Sequence, residues 1–541
     1  MDTEFPFGGQ DIPCTHFRKY LTFQEKSLPV KMRTHHTRSR RDHARNQTPR
    51  NIQEVNLKTV AWHAMEKYGF APRFPPAVMD QVGLMKEQTF PEVPAGSEDL
   101  RSLQWSSIDN HDSRDLDQLE YCERLPDGRI LVKVAIADVD SYVRRQTPTD
   151  EYAGHNGTTI YTGVLTFPML PEKLSYGITS LLPDRDRLAV VIEFIVQPDG
   201  SFVPQRIYPA LVCNRAKLVY EEVGTWLAGT GPVPESVRSV EGLEKQILLQ
   251  NDAAILLRTC RRSQGALELD TGEAEVLMEN GEVRGLVPHK HNPARGLIEE
   301  FMVAANGTMV AQLGKAGMPM IQRVVRTPRD WAGIMLAASA VGETLPEEPD
   351  AKALATFLAK EKAADPLHFP DLSLAVVKLI GPGEYVLLEP GDTPTGHFAL
   401  AVVDYTHATA PNRRYVDIIN QRLIKSVFHS QPGPYSPADL RDLAIWLTDR
   451  EKASKKVKRF MRKSVAAMLL SDSIGKSFDA LVTGVAEKGT YVRLLDPPAE
   501  GRVVKGEKGL RVGQKIRVRL LSTDPYNGFI DFECTAREKM V

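Results

Sequence analysis

The last 67 residues constrain the fold most, because short apolar runs alternate there with glycine-containing turns. Between 475 and 541 the segments FDALVTGVAEKGTYVRLLD, EGRVV and VGQKIRVRLLSTDPYNGFIDFEC contain five strand-like runs. Five short strands in so few residues are typical of a small closed barrel of the OB type. We therefore predict a five-stranded OB-fold β-barrel over 475–541.

Aromatic residues in this barrel alternate with basic ones, as a stacking surface for single-stranded nucleic acid requires. The alternative is that they fill the barrel core, and we expect two or three of them to do so. The five aromatics are Phe478, Tyr491, Tyr526, Phe529 and Phe532.

Near residue 97 the pattern changes from helical to mixed. The Asp-Gly pair between LEYCERL and ILVKVAIADV predicts a hairpin, and AVVIEFIVQPDGSFV predicts another. LIEEFMVAANGTMVAQLG predicts a buried helix, and residues 437–470 predict a long surface helix. We predict a large mixed α+β domain over 97–470, within a multidomain α+β chain.

The N-terminal part differs from the rest of the chain. Residues 1–50 are polar and basic with no sustained period, which predicts a partly irregular segment. Residues 51–96 predict a small, mainly helical module, with one helix from Asn51 and a second after Pro75 and Pro76. This pattern fits a helix-turn-helix as well as other small helical modules.

Length and hydropathy limit the class of protein. A chain of 541 residues predicts three or four domains. No apolar run approaches the roughly 18 residues that span a bilayer, and MDTEFPFGGQD has no basic start followed by an apolar stretch. We therefore expect a cytoplasmic protein without a membrane partner. Five widely spaced cysteines fit neither a disulfide framework nor a zinc site.

Charge is segregated along the chain. The net charge is −1, but residues 31–50 carry +6, residues 450–463 carry +7 and residues 475–541 carry +3, which leaves −17 on the remainder. Basic stripes on an acidic body suit local contact with a polyanion. The alternative is that each charge run solvates a surface helix.

Carboxylates are concentrated in SIDNHDSRDLDQLE, where Asp109, Asp112, Asp115 and Asp117 fall within nine residues. At an effective dielectric near 20, two carboxylates about 4 Å apart repel by about 4 kcal/mol, so they either disperse into solvent or share a cation. Hard oxygen ligands in this number favour Mg²⁺ or Mn²⁺. An acidic solvated loop is the alternative.

Two separated segments resemble one known family. The form I-D-x5-D-x-D-D ahead of a hairpin matches Asp109, Asp115 and Asp117, and Gln118 stands where the fourth aspartate is expected. About 290 residues later, HFALAVVDYTHATAPNRRYVDIINQRL resembles a segment around T-S-P-I-R-R-Y-x-D-x-x-x-H-R. In this order they resemble the RNB domain of the RNase II family of 3′-to-5′ exoribonucleases. The tail from 475 resembles the ribosomal-S1-type RNA-binding domain that follows RNB domains.

The resemblance implies the residues of a catalytic centre. Asp109, Asp115, Asp117 and Gln118 would hold Mg²⁺, with Mn²⁺ as a substitute, and the three aspartates and Arg413 would be catalytic. Arg413 would contact the scissile phosphate, a role that suits its permanently charged planar fork. An amide oxygen at Gln118 attracts a cation less strongly than a carboxylate does.

The resemblance also implies the residues that contact RNA. Tyr161 aligns with an aromatic that stacks on bases at the 3′ end, and Tyr220 and Glu299 align with residues at the ribose end of the channel. Leu269 stands where a second stacking aromatic is expected, and a leucine lacks the π-face worth roughly 1–3 kcal/mol per base. The paired arginines, Arg413 and Arg414, complete the predicted contacts. A core-packing role for either tyrosine is the alternative.

Together these features predict a cytoplasmic, monomeric, Mg²⁺-dependent exoribonuclease. It would hydrolyse single-stranded RNA processively from the 3′ end to nucleoside 5′-monophosphates. The alternative is a catalytically inactive RNB-domain protein that binds RNA as a regulator, which the departures at Gln118 and Leu269 suggest.

Overall fold

A computed structural model of the chain describes residues 55–88, 90, 92–270, 274–279, 282–288, 292–366, 368–486 and 489–537. The basic segment predicted over 1–50 lies outside the described residues. The described helices and strands belong to one compact unit, Asn56–Val541.

Helices make up much of the described chain, and none of those described is long and apolar enough to cross a membrane. In chain order, α1 to α12 are Leu57–Lys67, Pro76–Leu84, Pro148–Asn156, Tyr220–Leu227, Glu235–Arg238, Leu243–Ser263, Pro293–Lys315, Trp331–Ser339, Ala351–Ala364, Phe369–Ile380, Tyr415–Phe428 and Pro437–Leu469. A π-helical turn covers Leu174–Ile178, and 3₁₀ turns cover Phe398–Leu400 and Ser471–Ser473.

Strands form a large central sheet, a barrel and three small two-stranded sheets. In chain order, β1 to β17 are Glu98–Asp99, Trp105–Asp109, Gln118–Arg124, Ile130–Ala137, Ile160–Tyr161, Thr166–Phe167, Asp186–Val196, Phe202–Val219, Ala274–Glu279, Glu282–Pro288, Met320–Val324, Glu384–Leu388, Ser477–Ala486, Gly489–Leu494, Glu500–Lys505, Lys515–Asp524 and Phe529–Arg537.

The central sheet has six strands in the order β1-β8-β2-β3-β4-β7. The long strand β8 pairs with β7 along its first part and with β2 along its last part. It therefore joins β7, the last strand of this order, to the strands at its beginning. β2 runs parallel to β8, whereas β3 and β4 are antiparallel neighbours. Both predicted hairpins are confirmed: Gly128 and Gly200 adopt the positive φ that each turn requires.

Two predicted helices are present and begin with clear capping signals. α7 starts at Pro293, where the Asn292 side chain accepts a hydrogen bond from the Ala294 N–H, and it packs against β7 and β8 as the buried helix of the prediction. α12 begins with a capping box between Ser436 and Asp439. One face of α12 is buried, and the basic run over 450–463 lies largely on the exposed face.

The C-terminal strands form the predicted barrel, closed in the order β13-β14-β15-β17-β16. Phe532 lies fully in its core and Phe478 packs partly against that core, so two aromatics have this role, as expected. Tyr526 and Phe529 are exposed. The end of α12 contributes Ala466, Ala467 and Leu470 to the same apolar cluster, which attaches the barrel to the central domain.

The N-terminal helices α1 and α2 are also present, but α1 begins at Leu57 and not at the predicted Asn51, because the Asn56 side chain caps the helix by accepting the Thr59 N–H. α1 packs through residues such as Val60 and Met65 against Val457 and Met461 of α12, whereas α2 joins the main core through Val78. The two helices thus pack on different parts of the molecule. Their predicted role as a helix-turn-helix stays a prediction.

Candidate active site

The carboxylate-rich loop connects two neighbouring strands of the central sheet. Asp109 is the last residue of β2 and Gln118 is the first residue of β3. Lys217 on β8 holds the loop between them, because its Nζ donates hydrogen bonds to the carbonyl oxygens of His111 at 2.9 Å and Ser113 at 2.6 Å. The loop is therefore fixed at one edge of the sheet.

Asp117 is the most buried of the three aspartates, with 1% of its surface exposed. Its Oδ1 accepts the backbone N–H of Asn412 at 2.8 Å, and its Oδ2 accepts the Arg413 Nε–H at 3.2 Å. Thr159 holds the segment that carries Arg413, because its N–H donates a hydrogen bond to the Arg413 carbonyl at 3.0 Å. Two segments almost 300 residues apart in sequence thus meet at one carboxylate.

Asp115 is half-buried and accepts a hydrogen bond from an aromatic side chain. The hydroxyl of Tyr161, on β5, donates to Asp115 Oδ2 at 2.6 Å. The Tyr161 side chain remains 38% exposed, so part of its ring is open to a ligand.

A cavity of about 350 Å³ brings most of the predicted site residues together. Gln118 is among them, although a regular strand would turn it away from Asp117. Asp117 lies before the first residue of β3, so the alternation of side chains along a regular strand does not apply to this pair. The predicted residues that line the cavity are Asp109, Asp115, Asp117, Gln118, Tyr161, Tyr220, Arg413 and Arg414.

Burial makes two of these carboxyls poor acids. Burial, with a smaller contribution from the charge of Asp115, raises the pKa of Asp117 to about 7 and that of Asp109 to about 6. The nearby Arg413 guanidinium lowers both pKa values but does not cancel the effect of burial. Near neutral pH these carboxyls therefore favour a partner cation.

The donor set fits a hard cation, although its members are not gathered around one point. Within the described ranges, no three His, Cys, Asp or Glu side chains come close enough together to hold one ion. Asp117 instead faces Arg413, and Asp115 accepts from Tyr161. However, no described residue hydrogen-bonds to the buried Oδ2 of Asp109, and the donors are all oxygens, which Mg²⁺ and Mn²⁺ prefer.

Comparison with known families agrees with this arrangement. A model of the RNB domain matches residues 97–430, which is more than half of the chain. The chain belongs to the RNB-domain family. A second model, of the RNase II-type exonuclease C-terminal S1 domain, matches residues 476–535. The predicted membership of the RNase II family is thereby confirmed.

Two curated relatives of this RNB-family chain are both named Ribonuclease R. Ribonuclease R of Thermotoga maritima is 28% identical over 490 residues, which cover 85% of this chain and 68% of that protein. Ribonuclease R of Escherichia coli is 29% identical over 504 residues, which cover 86% of this chain and 61% of that protein. The chain therefore spans about three fifths to two thirds of the length of these relatives.

Among solved structures, that of Mycoplasma genitalium RNase R in complex with ribose methylated single-stranded RNA is similar, with a TM-score of 0.80. The sequence identity is 22%, and the match covers 88% of this chain and 78% of that chain. At this identity the likeness concerns the fold, and it confirms the predicted multidomain α+β architecture.

Two residues predicted from the RNB family to contact RNA lie outside the cavity lining. Glu299 is on α7, exposed, and paired with Arg261 at 3.0 Å. Leu269 is half-buried and packs against the apolar cluster of α8–α10. Their predicted contacts with RNA remain predictions.

One wall of this RNB-family cavity was not predicted from the sequence. α7 contributes Arg295, Ile298, Met302 and Asn306, which follow a helical spacing of three and four residues. That spacing in LIEEFMVAAN and the residues before it was the available signal. Tyr405 and Thr409 also line the cavity, and their positions depend on how the loop before α11 folds back.

The raised pKa values predict how stability depends on pH in EDTA. Because the folded pKa of Asp117 is about 7 rather than 3.8, the folded protein holds more protons than the unfolded chain between about pH 4 and 7. The free energy of unfolding should therefore fall as pH rises through this window, by up to a few kcal/mol for this group. Urea unfolding from pH 4 to 8 would measure it.

An Asp117→Asn variant provides the comparison for this effect, since it removes one titrating group and keeps the others. Its unfolding free energy should fall less with pH than that of the wild type. Equal slopes in the two proteins would contradict the raised pKa. Saturating Mg²⁺ should flatten the wild-type curve, because a bound cation favours the ionised carboxylate.

Proposed function

We propose that this protein is a 3′-to-5′ exoribonuclease that depends on Mg²⁺ or Mn²⁺. It hydrolyses single-stranded RNA processively and releases nucleoside 5′-monophosphates. On this proposal residues 97–470 are the catalytic domain, residues 475–541 bind RNA, and residues 51–96 form a separate helical module beside the basic segment 1–50.

The observation that carries the proposal is the meeting of Asp117 with Asn412 and Arg413 in the cavity that Asp109 and Gln118 also line. Membership of the RNB family, the Ribonuclease R relatives and the S1-type barrel support the same function.

The cation would be held by Asp109, Asp115, Asp117 and Gln118. When bound, it would supply Lewis-acid activation of water and neutralise charge on the phosphate. The amide of Gln118 contributes an oxygen without a charge. The carboxylates of Asp109, Asp115 and Asp117 therefore supply the charge that attracts the cation.

Arg413 would bind and orient the scissile phosphate. Its Nε holds Asp117, and among the described residues none hydrogen-bonds to either terminal nitrogen. The side chain is 48% exposed. Two donors in a fixed plane therefore face the cavity and can stabilise the charge that develops on the phosphate. Arg414 adds positive charge to the cavity, although its Nη2 is held by Asp417 at 2.8 Å.

The 3′ end of RNA would be positioned by Tyr161 and Tyr220. The ring of Tyr161 can stack on a base while its hydroxyl holds Asp115. Arg295 lies 4.5 Å from the Tyr220 ring centroid and adds a further cation to the same cavity. Glu299 and Leu269 would meet RNA outside this cavity.

The test uses a 5′-labelled single-stranded RNA, its DNA counterpart, and reactions with Mg²⁺ or EDTA. We expect RNA to shorten from the 3′ end only with the metal, and chromatography to detect nucleoside 5′-monophosphates. DNA should remain intact because hydrogen bonds to the 2′-OH are available only in RNA. Internal cleavage, or equal activity in EDTA, would contradict the proposal.

A second candidate is the inactive RNA-binding regulator, which the amide at Gln118 favours. No three acidic side chains gather around one point in the described part of the chain, which is a further argument for it. RNA that binds but never shortens with Mg²⁺ or Mn²⁺ would establish this candidate instead.

The exposed barrel aromatics give a test of RNA binding. Phe529 is 63% exposed, and its replacement by Ala should weaken binding of single-stranded RNA by about 1–3 kcal/mol, roughly 5- to 150-fold. Fluorescence anisotropy in EDTA at two salt concentrations would measure affinity and its salt dependence. Stacking carries no charge, so the salt slope should not change.

Val512→Ala is the matched control, since Val512 is a 56% exposed apolar residue of the same barrel without a π-face. It should bind RNA as the wild type does. Unchanged affinity in both variants would remove this surface of the barrel from the RNA path.

We also propose that the protein acts in the cytoplasm as a monomer. All residues that line the cavity come from one chain, so the site needs no second copy. Light scattering with and without RNA would test the monomeric state.

A further inference from the structure

Glu120 is a buried carboxyl for which neither the sequence nor the proposed mechanism has a role. It is the third residue of β3, and its exposed fraction is 0%. Neither Oε1 nor Oε2 has a hydrogen-bond partner among the described residues. An unpaired carboxyl inside a protein is costly, so it is expected to meet a cation or to hold a proton.

Two other buried carboxylates of the same domain are paired. Glu193, on β7 of the same sheet, accepts hydrogen bonds from Lys133, Arg206 and Tyr208. Asp150 accepts from the Tyr415 hydroxyl at 2.8 Å and from Arg422 at 2.8 Å. Glu120 is thus unlike carboxylates of similar burial in the same domain.

The position of Glu120 places it beside the candidate metal site. Residues two apart in a strand lie on the same face, so Glu120 shares a face of β3 with Gln118, which lines the cavity. On the neighbouring strand β2, the residue opposite Glu120 is Ser106, three residues before Asp109. Glu120 therefore lies in one of the two strands whose ends carry Asp109 and Gln118.

Further buried oxygen atoms without partners belong to the neighbouring strand β2. Asp109 is 8% exposed, and its Oδ2 has no hydrogen-bond partner in the described structure. The hydroxyl of Ser106 on β2 likewise lacks one, and Ser106 is the cross-strand neighbour of Glu120. Unsatisfied oxygens from two carboxyls and a hydroxyl are the kind of donors that suit a hard divalent cation.

We propose that Glu120 supplies the fourth acidic group of the metal site, two residues beyond the position where Gln118 replaces it. This inference rests on the proposed function. On this proposal the carboxyl of Glu120 either binds the cation or directs the Asp109 carboxylate toward it. The metal site thereby keeps four acidic residues although one has moved along β3.

Mn²⁺ binding to the full chain, followed by the electron paramagnetic resonance of free Mn²⁺, tests this without RNA or turnover. Glu120→Gln should raise the Mn²⁺ dissociation constant about 10- to 100-fold, the range for losing a group that supports a metal ligand. Its Tm in EDTA should equal or exceed that of the wild type, because an unpaired carboxyl is lost. Adding Gln118→Asp to this variant should restore most of the affinity.

Glu193→Gln is the matched control, because it neutralises an equally buried glutamate of the same sheet away from the cavity. It should lower the Tm and leave the Mn²⁺ dissociation constant unchanged. If Glu120→Gln folds poorly, the Mn²⁺ affinity of Gln118→Asp alone tests the proposal. It changes Mn²⁺ affinity little if Glu120 already provides the fourth acid, whereas a tenfold gain would overturn the proposal.

Two failures are distinguishable. A wild type that binds Mn²⁺ and a Glu120→Gln variant that binds it equally well would make Glu120 a protonated buried carboxyl and leave the proposed exoribonuclease intact. A wild type that binds no Mn²⁺ would remove the proposed metal site, and this inference with it.

Discussion

An Asp117→Asn variant is expected to shorten RNA at least about 100- to 1,000-fold more slowly than the wild type while it still binds RNA. Both Asp117 oxygens accept hydrogen bonds, one from the Asn412 N–H and one from the Arg413 Nε–H. Asparagine has one acceptor oxygen, so one of these donors would face the amide NH₂. The substitution also removes buried negative charge that a cation needs. Single-turnover rates in Mg²⁺ and anisotropy in EDTA would separate rate from binding.

The control for this variant is Asp150→Asn. Asp150 is an equally buried carboxylate that pairs with Tyr415 and Arg422 and does not line the cavity. We expect it to lower the Tm but to leave the rate per folded molecule unchanged. An Asp117→Asn protein as fast as the wild type would exclude Asp117 from the chemistry.

Replacing Arg413 by Lys should lower kcat by about 10² to 10³ and change KM much less. A lysine keeps the positive charge but has one amino group in place of the guanidinium fork. It therefore cannot hold Asp117 through one nitrogen and meet a phosphate with two others. Nearby acidic groups, Asp117 among them, raise the pKa of Arg413, so the wild-type side chain stays charged at any pH used. Steady-state rates over a range of RNA concentrations would measure both constants.

Arg206→Lys is the matched control for the arginine. Its side chain is 53% exposed, similar to Arg413, and its guanidinium pairs with Glu98 and Glu193 outside the cavity. We expect kcat and KM to stay near the wild-type values. If Arg413→Lys instead raised KM and left kcat unchanged, Arg413 would contribute to RNA affinity and not to stabilisation of the transition state.

Much of the fold could be predicted because its signals are local. The Asp-Gly hairpin turns, the helix of α7 and the strand pattern of the barrel depend on residues near one another in sequence. The order of the strands was not predictable in this way. That β8 pairs with both β7 and β2 depends on contacts between distant segments, and no local pattern reports them.

The site was predictable in part. Asp109, Asp115, Asp117 and Arg413 came from two motifs, and the structure places all of them in one cavity. Leu269 and Glu299 lie outside it, and the wall of α7 was missed. An alignment to a motif reports which residue follows which, whereas the lining of a cavity depends on how helices and loops pack.

Periodicity and residue chemistry are properties of short segments, so the types of element, the closed barrel and the acidic and basic residues all follow from the sequence. Tertiary packing was needed to place Gln118 in the cavity with Asp117 and to bury Glu120 where no described residue hydrogen-bonds to its carboxyl. Burial and hydrogen bonding depend on the neighbours that distant segments bring. The raised pKa values of Asp109 and Asp117 therefore could not be read from their own segment.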